Sequence, residues 1–300
     1  MNRREAGGVR DGKGRLFIVA TPIGNLEDIT LRALRVLGQV DAILAEDTRR
    51  TRTLSQYHQI KTPLRAFHAH SSSHSAQGIL EELKAGAQLA LVSDAGTPLI
   101  SDPGAHLVSS ARESGIIVEA IPGVSAVTAA ISVAGVRVDR FRFLGFLPRK
   151  GGERAQFLET IRLDSAASVF FESPRRVRPT LLELAEILGD RPVALCRELT
   201  KAFEEILSGS ARELCEKLPQ RLRGEVTIVV SAKSVDSSVP KADVSELIQQ
   251  LQETPTKQAA QMLSGAAGIP QSDAYKLLIE AKNGLSPANT SDTQSALDEG

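Results

Sequence analysis

Four short segments join turn-forming residues to side chains that can bind or react. They are Thr21-Pro22-Ile23-Gly24-Asn25, Glu46-Asp47-Thr48-Arg49, Ser93-Asp94-Ala95-Gly96-Thr97-Pro98 and Pro122-Gly123-Val124-Ser125-Ala126, and each follows a short apolar run. The third is the most informative, because it sets an acid (Asp94), a hinge (Gly96) and a hydroxyl (Thr97) within four residues. Such a loop suits a polar ligand with an amino group better than a bare phosphate. A fifth segment, Arg197-Glu198-Leu199-Thr200-Lys201, places an amine three residues from a carboxylate. That pair can transfer a proton or stabilise a developing charge, and it reads equally as a surface ion pair. Lys201 with Glu198 is the first catalytic candidate and Glu46 the second.

Other chemistries lack their signatures. No G-x-G-x-x-G follows the first apolar run, and no Walker A sequence occurs. The five histidines, His58, His68, His70, His74 and His106, show no zinc spacing, so no metal is expected. Neither do the two cysteines, and Cys196 within Val193–Cys196 reads as core filler. Sparse cysteine fits a reducing compartment. No apolar stretch reaches the ~20 residues of a membrane span, and the charged N-terminus lacks a signal-peptide core, so a cytoplasmic location is expected. Zero formal net charge argues against a nonspecific nucleic-acid binder, and the lack of Trp leaves few stacking platforms. The cations are nonetheless grouped. Each of Arg49-Arg50, Arg149-Lys150 and Arg175-Arg176 reads alone as a solvated face, and together they permit a basic lip around a cleft.

Strands must hold these segments. Leu16–Ala20, Ala42–Ala45, Leu64–Phe67, Leu89–Val92 and Ile116–Ile121 are short apolar runs bounded by turn formers. Helical patterns alternate with them, starting near Asp28 or Thr30, over Ile79–Lys84, at Asp102-Pro103 as N-cap and first position, and at Ser125 as N-cap. Alternation of this kind predicts a covered, mostly parallel sheet. It would bring all four segments to the carboxyl edge, where open α/β sheets bind ligands. Gly135–Phe146 reads as the passage to a second domain and Leu147–Gly152 as a mobile basic loop. Further on come a helix over Ala155–Ile161, a strand at Val169–Phe171, a Ser173-Pro174 helix start and a strand at Val193–Cys196. A capping box at Ser210 and Glu213 and a strand at Val226–Val230 complete that half. Three helical segments follow, Val244–Leu251, Lys257–Leu263 and Asp273–Ala281, the last two joined as in a helix-turn-helix. The expected organisation is a disordered extension (1–14), two α/β domains (15–135 and 136–232), a linker (233–243), a helical unit (244–284) and a disordered tail (285–300).

In order and spacing, Thr21–Ala33, Ala45–Arg49, Val92–Gly104, Ile121–Ala126, Leu144–Lys150, Phe171–Arg175 and Arg197–Lys201 resemble one family. It is the ribosomal RNA small subunit methyltransferase I family of the tetrapyrrole methylase superfamily. The resemblance implies two α/β domains with S-adenosylmethionine folded into the cleft between them, commonly in a homodimer. It implies methylation of a ribose 2′-hydroxyl, on a decoding-region cytidine of 16S rRNA in the small ribosomal subunit. By motif, Asp94, Gly96 and Thr97 fall in the cofactor loop, Ser125 and Ala126 in a second contacting turn, Ile23 in the first loop and Phe171 on the adenine side. Ile23 and Phe171 read equally as plain core. The RNA surface is expected at Arg49, Arg50, Arg149, Lys150, Arg175 and Arg176. Two other readings stand beside this one. The first is methylation of a small tetrapyrrole-like molecule. The second is a DNA-binding regulator working through Lys257–Ala281, although the second helix there offers only Lys276 and Lys282 as cations.

Overall fold

The computed structural model describes residues 14–68, 73–101, 104–233, 244–251, 254–267 and 271–282. Residues 1–13 of the expected disordered extension, the expected disordered tail 285–300, residues 234–243 of the expected 233–243 linker and the Asp102-Pro103 helix start lie outside the described residues. So do the side chains of His70 and His74.

The first sheet contains β1 (Arg15–Val19), β2 (Ala42–Ala45), β3 (Leu64–Ala66), β4 (Gln88–Val92) and β5 (Ile117–Ile121), in the order β3-β2-β4-β1-β5. Every pairing is parallel. Side-chain alternation explains why these strands are apolar throughout. Leu16, Leu44, Leu89 and Leu91 face one layer, while Phe17, Val19, Ile43, Ala45, Ala90 and Val92 face the other. Helices α1 (Leu31–Gln39) and α2 (Thr48–Tyr57) cover the second layer through Ala33, Leu37 and Leu54. Helices α3 (Ser73–Lys84) and α4 (Ala105–Glu113) cover the first through Ile79, Leu83, Leu107 and Ala111. Each fully buried leucine contributes about 1.5–3 kcal/mol. Thr30 caps α1, its hydroxyl accepting from Ala33 N at 3.1 Å. Helix α4 begins at Ala105 with Gly104 as N-cap, beyond the expected Asp102.

Helix α5 (Ala126–Val133) follows β5 but serves the second sheet. Its Val127 and Ala130, with Ala134 beyond its end, cluster with Val169, Ala194, Cys196 and Val229. Small residues let it approach closely: the Cys196 thiol lies 3.8 Å from Ala130 O, and the Ser208 hydroxyl donates to Ala134 O at 2.8 Å. That sheet comprises β6 (Phe141–Phe146), β7 (Ala167–Glu172), β8 (Pro192–Arg197), β9 (Glu205–Ser210) and β10 (Val226–Val230), in the order β6-β7-β10-β8-β9. Only β6 and β7 run parallel. Its other face packs under α6 (Gly151–Leu163), α7 (Val177–Leu188) and α8 (Ala211–Lys217), through Ile161, Leu181, Leu184 and Leu214. Both sheets lie in one compact unit ending at Lys233.

Three sequence readings change here. The passage before Phe146 contains strand β6. Helix α7 starts at Val177 rather than at Ser173-Pro174, which form a turn closed by Arg176 N to Ser173 O at 2.8 Å. The Leu147–Gly152 segment is anchored at its first two residues, while residues 149–152 are exposed. Leu147 is 1% exposed, Arg176 donates to its carbonyl at 3.1 Å, and Arg154 donates to Pro148 O at 2.9 Å.

The second unit contains α9 (Val244–Gln250), α10 (Thr256–Ala267) and α11 (Gln271–Lys282), closed around Ile248, Leu251, Ala260, Leu263 and Leu278. Helix α10 runs to Ala267, through residues read from sequence as the connecting turn. Lys282, one of the two cations expected to serve DNA, instead donates to Thr254 O at 3.0 Å and lies 3.3 Å from the Thr256 hydroxyl.

Candidate active site

Parallel pairing puts the four loops on one edge, and hydrogen bonds join them. Thr21 and Gly96 exchange two backbone bonds of 2.9 Å, and the buried Thr21 hydroxyl donates to Ser93 O at 3.2 Å. Asp47 N donates to Asp94 Oδ1 at 2.9 Å, and the Arg50 guanidinium lies 3.6 Å from the other oxygen. The Thr97 hydroxyl donates to Val124 O at 3.1 Å, tying the third loop to the fourth. Gly96 has φ +78°, a left-handed conformation that favours glycine, and a Cβ there would lie 3.4 Å from Ile23 Cγ2. Ser125 occupies the N-cap of α5 without a side-chain capping bond, and Ala126 begins that helix.

The second sheet supplies the opposite wall. Antiparallel pairing sets Val226 opposite both Glu172 and Arg197, and Arg197 opposite Glu205. The turns 173–176, 198–204 and 224–225 therefore share one edge, together with the segment after Phe146, which pairs with Phe171. The 198–204 turn meets the first sheet at Gly24. A Cβ at Gly24 would lie 2.5 Å from Lys201 Cγ and 2.8 Å from Leu199 O, while Asn25 N donates to the Thr200 hydroxyl at 3.0 Å. Thr21, Ile23, Arg50, Asp94, Lys201 and Glu225 all line the resulting cleft.

Lys201 is held rigidly in that wall. Its Nζ donates to Glu198 Oε1 at 2.8 Å and to Glu225 Oε2 at 2.9 Å. Glu198 Oε1 also accepts from Glu225 N at 2.9 Å. Glu198 and Thr200 adopt φ of +51° and +66°, strained values for such residues. A Cβ at Gly224 would overlap the Glu198 carboxyl, so glycine lets the two loops close. Burial works against the Lys201 ammonium, but the hydrogen bonds and charges of Glu198 and Glu225 outweigh it and raise its pKa above the ordinary lysine value. The Lys201 hydrogen bond, more than any other influence, lowers that of Glu198. The pair therefore stays ionised across the neutral range. Its stabilisation is lost as pH falls through the depressed Glu198 value, or rises through the elevated Lys201 value.

The other sequence-derived residues are dispersed. Glu46 is half-buried beside Asp47 and is not among the residues lining the cleft. Ile23 and Phe171 both join the core between α5 and the second sheet, and the Phe171 ring lies 5.0 Å from Phe143 and 5.3 Å from Phe146. Ile23, 8% exposed, also lines the cleft. Arg49 is exposed but chelated by Asp47 at 2.7 and 3.0 Å, and this bond holds the Asp47 carboxyl well below its usual range. Arg149, Lys150 and Arg175 are exposed on the second-sheet edge. Arg176 pairs with the buried carboxylate of Glu172 at 2.6 Å, which makes it part of the scaffold. Cys196 is buried, and its thiol is pushed up to about 11 by burial and by the charge of Glu204. No group of three His, Cys, Asp or Glu suited to a metal occurs among the described residues.

Glu225 was missed in the sequence. It precedes a buried strand rather than following one. Its place beside Lys201 depends on antiparallel pairing between β8 and β10, which a parallel-sheet pattern does not reveal.

Residues 15–215 match the family model described as Tetrapyrrole (Corrin/Porphyrin) Methylases. A protein of Thermotoga maritima named "Ribosomal RNA small subunit methyltransferase I" is 47% identical over 221 residues, 73% of this chain and 99% of that protein. One of the same name from Escherichia coli O157:H7 is 42% identical over 275 residues, 90% of this chain and 96% of that protein. Among solved structures, uroporphyrin-III C-methyltransferase from Thermus thermophilus, complexed with S-adenosyl homocysteine, superposes with a TM-score of 0.52. It shares 19% identity, and the match covers 72% of this chain and 97% of that one.

Proposed function

The chain belongs to the tetrapyrrole methylases and, within them, to the ribosomal RNA small subunit methyltransferase I family, and from that premise we propose what its cleft does. It is a methyltransferase whose methyl donor is S-adenosylmethionine. Its acceptor is small-subunit ribosomal RNA, at the ribose 2′-hydroxyl of a decoding-region cytidine of 16S rRNA. It works in the cytoplasm on the ribosomal subunit, as a homodimer. Light scattering tests the dimer. The observation that carries the reading is the meeting of the Thr21–Asn25 and Ser93–Pro98 loops and the start of α2 with the Lys201 turn around one cleft.

The cleft fits this cofactor. Asp94 offers a carboxylate to its amino or hydroxyl groups. Gly96 holds the loop in a left-handed conformation, φ +78°, that L side chains rarely adopt. Ser125 and Ala126 offer the backbone of a helix start next to Val124, which Thr97 contacts, although neither is among the residues lining the cleft. Bound cofactor supplies a methyl group already activated by its sulfonium, so alignment of the ribose oxygen accounts for much of the acceleration. Lys201, kept positive by its two carboxylates, stabilises the charge developing on that oxygen.

Gly96→Val forces a β-branched residue into left-handed backbone, a strain of about 1–3 kcal/mol, and distorts the loop. Calorimetry with S-adenosylhomocysteine is expected to show affinity reduced about tenfold or more. Unchanged affinity in the folded variant removes this loop from the site.

The RNA surface is assigned to Arg49, Arg50, Arg149, Lys150 and Arg175, whereas the Arg176 guanidinium is occupied by Glu172. Replacing those five by Gln should weaken binding to small ribosomal subunits and flatten its salt dependence, and a variant of the other four that keeps Arg50, 3.6 Å from Asp94, should preserve cofactor affinity. An unaltered salt slope would make them ordinary solvated surface.

The helical unit is not required for chemistry. The Thermotoga maritima relative matches over 221 residues, close to the length of 14–233, and bears the same name. A chain ending at Lys233 should keep its methyl-transfer rate on bound subunits. Loss of that rate would contradict this, and duplex-DNA binding that disappears on truncation would favour the DNA-binding reading of the helical unit.

The whole reading is tested by incubating the protein and S-adenosylmethionine with unmodified small subunits and mapping the methyl group by mass spectrometry.

A further inference from the structure

We propose that Glu225 takes the proton of the ribose hydroxyl during methyl transfer, with Lys201 orienting its carboxylate and Glu198 anchoring Lys201. This rests on reading the cleft as a ribose 2′-O-methylation site. Methylation removes a proton from the hydroxyl, so some group must receive it. Lys201 cannot, because an ammonium has donors only, and two of them are occupied by Glu198 and Glu225. Glu198 is a poor acceptor. Its Oε1 already accepts from Lys201 Nζ and Glu225 N, its side chain is 18% exposed, and the Gly224 turn closes against it. Asp94 is engaged by Asp47 N and Arg50, and Glu46 does not line the cleft.

Glu225 differs from all of these. Its side chain is 61% exposed, it lines the cleft with Thr21, Ile23 and Asp94, and Oε2 is fixed by Lys201 at 2.9 Å. A hydroxyl entering the cleft can reach this carboxylate, and a proton can leave it for water. The step balances. The ribose oxygen forms its bond to the methyl carbon as its O–H bond breaks. The carbon–sulfur bond opens with its electron pair remaining on sulfur, leaving a neutral thioether. The proton moves to a Glu225 oxygen and then to solvent. Lys201 remains an ammonium throughout, close to the oxygen that carries the transient negative charge.

Glu225→Gln separates proton transfer from positioning. Glutamine keeps the length and an oxygen that accepts from Lys201 Nζ, but it is no base. Single-turnover methylation of unmodified small subunits should fall roughly 10²-fold or more, and the acid limb of the pH–rate profile should vanish. Affinities for S-adenosylhomocysteine, by calorimetry, and for the subunit, by sedimentation, should stay within about threefold of wild type. Glu225→Asp should recover part of the rate and the acid limb. A Glu225→Gln rate within threefold of wild type would overturn the proposal. So would a rate loss matched by an equal loss of cofactor affinity, or Asp and Gln variants with the same rate and pH profile. A wild-type protein that binds cofactor but leaves the subunit unmethylated would refute the functional reading itself, which is a separable result.

Discussion

Lys201→Met is expected to lower single-turnover methylation by roughly 10²-fold or more, the usual consequence of removing a positioned polar group from a transition state. Methionine preserves most of the stem that packs against Gly24 but removes the ammonium between Glu198 and Glu225. Two carboxylates are then left together at the cleft wall without a cation. The charge developing on the ribose oxygen meets repulsion instead of attraction. Affinity for S-adenosylhomocysteine should change little, because the lost interaction belongs mainly to the transition state. Lys201→Arg retains the charge but not the compact ammonium, and should recover only part of the rate. Since the Lys201 pKa is raised, wild-type activity should show no loss of this charge anywhere between pH 6 and 9. A methionine variant with a near-normal rate would remove Lys201 from the mechanism.

Glu172→Ala carries the largest expected effect on stability. The Glu172 side chain is fully buried. It accepts from Ser173 N at 2.6 Å, from the Thr180 hydroxyl at 2.8 Å and from Arg176 at 2.6 Å, with Arg154 4.0 Å away. Arg154, 12% exposed, also bonds Thr180 and Pro148 O. Removing the carboxylate takes the buried acceptor from Arg176, the Thr180 hydroxyl and Ser173 N, while Arg154 keeps its ion pair with Glu183 at 2.8 Å. Leaving the buried Thr180 hydroxyl and the partly exposed Arg176 without this acceptor costs about 1–3 kcal/mol. Denaturant unfolding should report a loss of that order. Glu172→Gln, which keeps one acceptor oxygen for either Thr180 or Ser173 N, should lose less. Because Arg176 and Arg154 hold the Leu147 and Pro148 carbonyls, the alanine variant should also expose the Leu147–Gly152 segment to proteolysis. A loss below 1 kcal/mol would show that this network contributes no net stability.

The first sheet was legible because parallel strands announce themselves as apolar runs cut off by turn residues, and Thr21–Asn25, Ser93–Pro98 and Pro122–Ala126 all ended such runs. Parallel pairing then fixed where they met. Less was readable in the second half. Phe141–Phe146 bulges between Phe143 and Phe146 and exposes residues at both ends, which blurred its strand pattern. The small residues of α5 announced a helix but not its partner, which proved to be the second sheet. Single basic residues looked alike in sequence. Only the buried Glu172 distinguished Arg176 from Arg175. Lys201 and Glu198 were recognisable from spacing on one turn, whereas Glu225, 24 residues further on, became visible only through strand register.

The most direct measurement supplies the protein with S-adenosylmethionine carrying an isotopically labelled methyl group and small ribosomal subunits from cells lacking this activity, then maps the label by mass spectrometry of the rRNA. The proposed function predicts one labelled methyl per 16S rRNA, on the ribose 2′-oxygen of a single decoding-region cytidine. Label on a base, label at scattered sites, or unlabelled rRNA from a protein that binds the cofactor would contradict it.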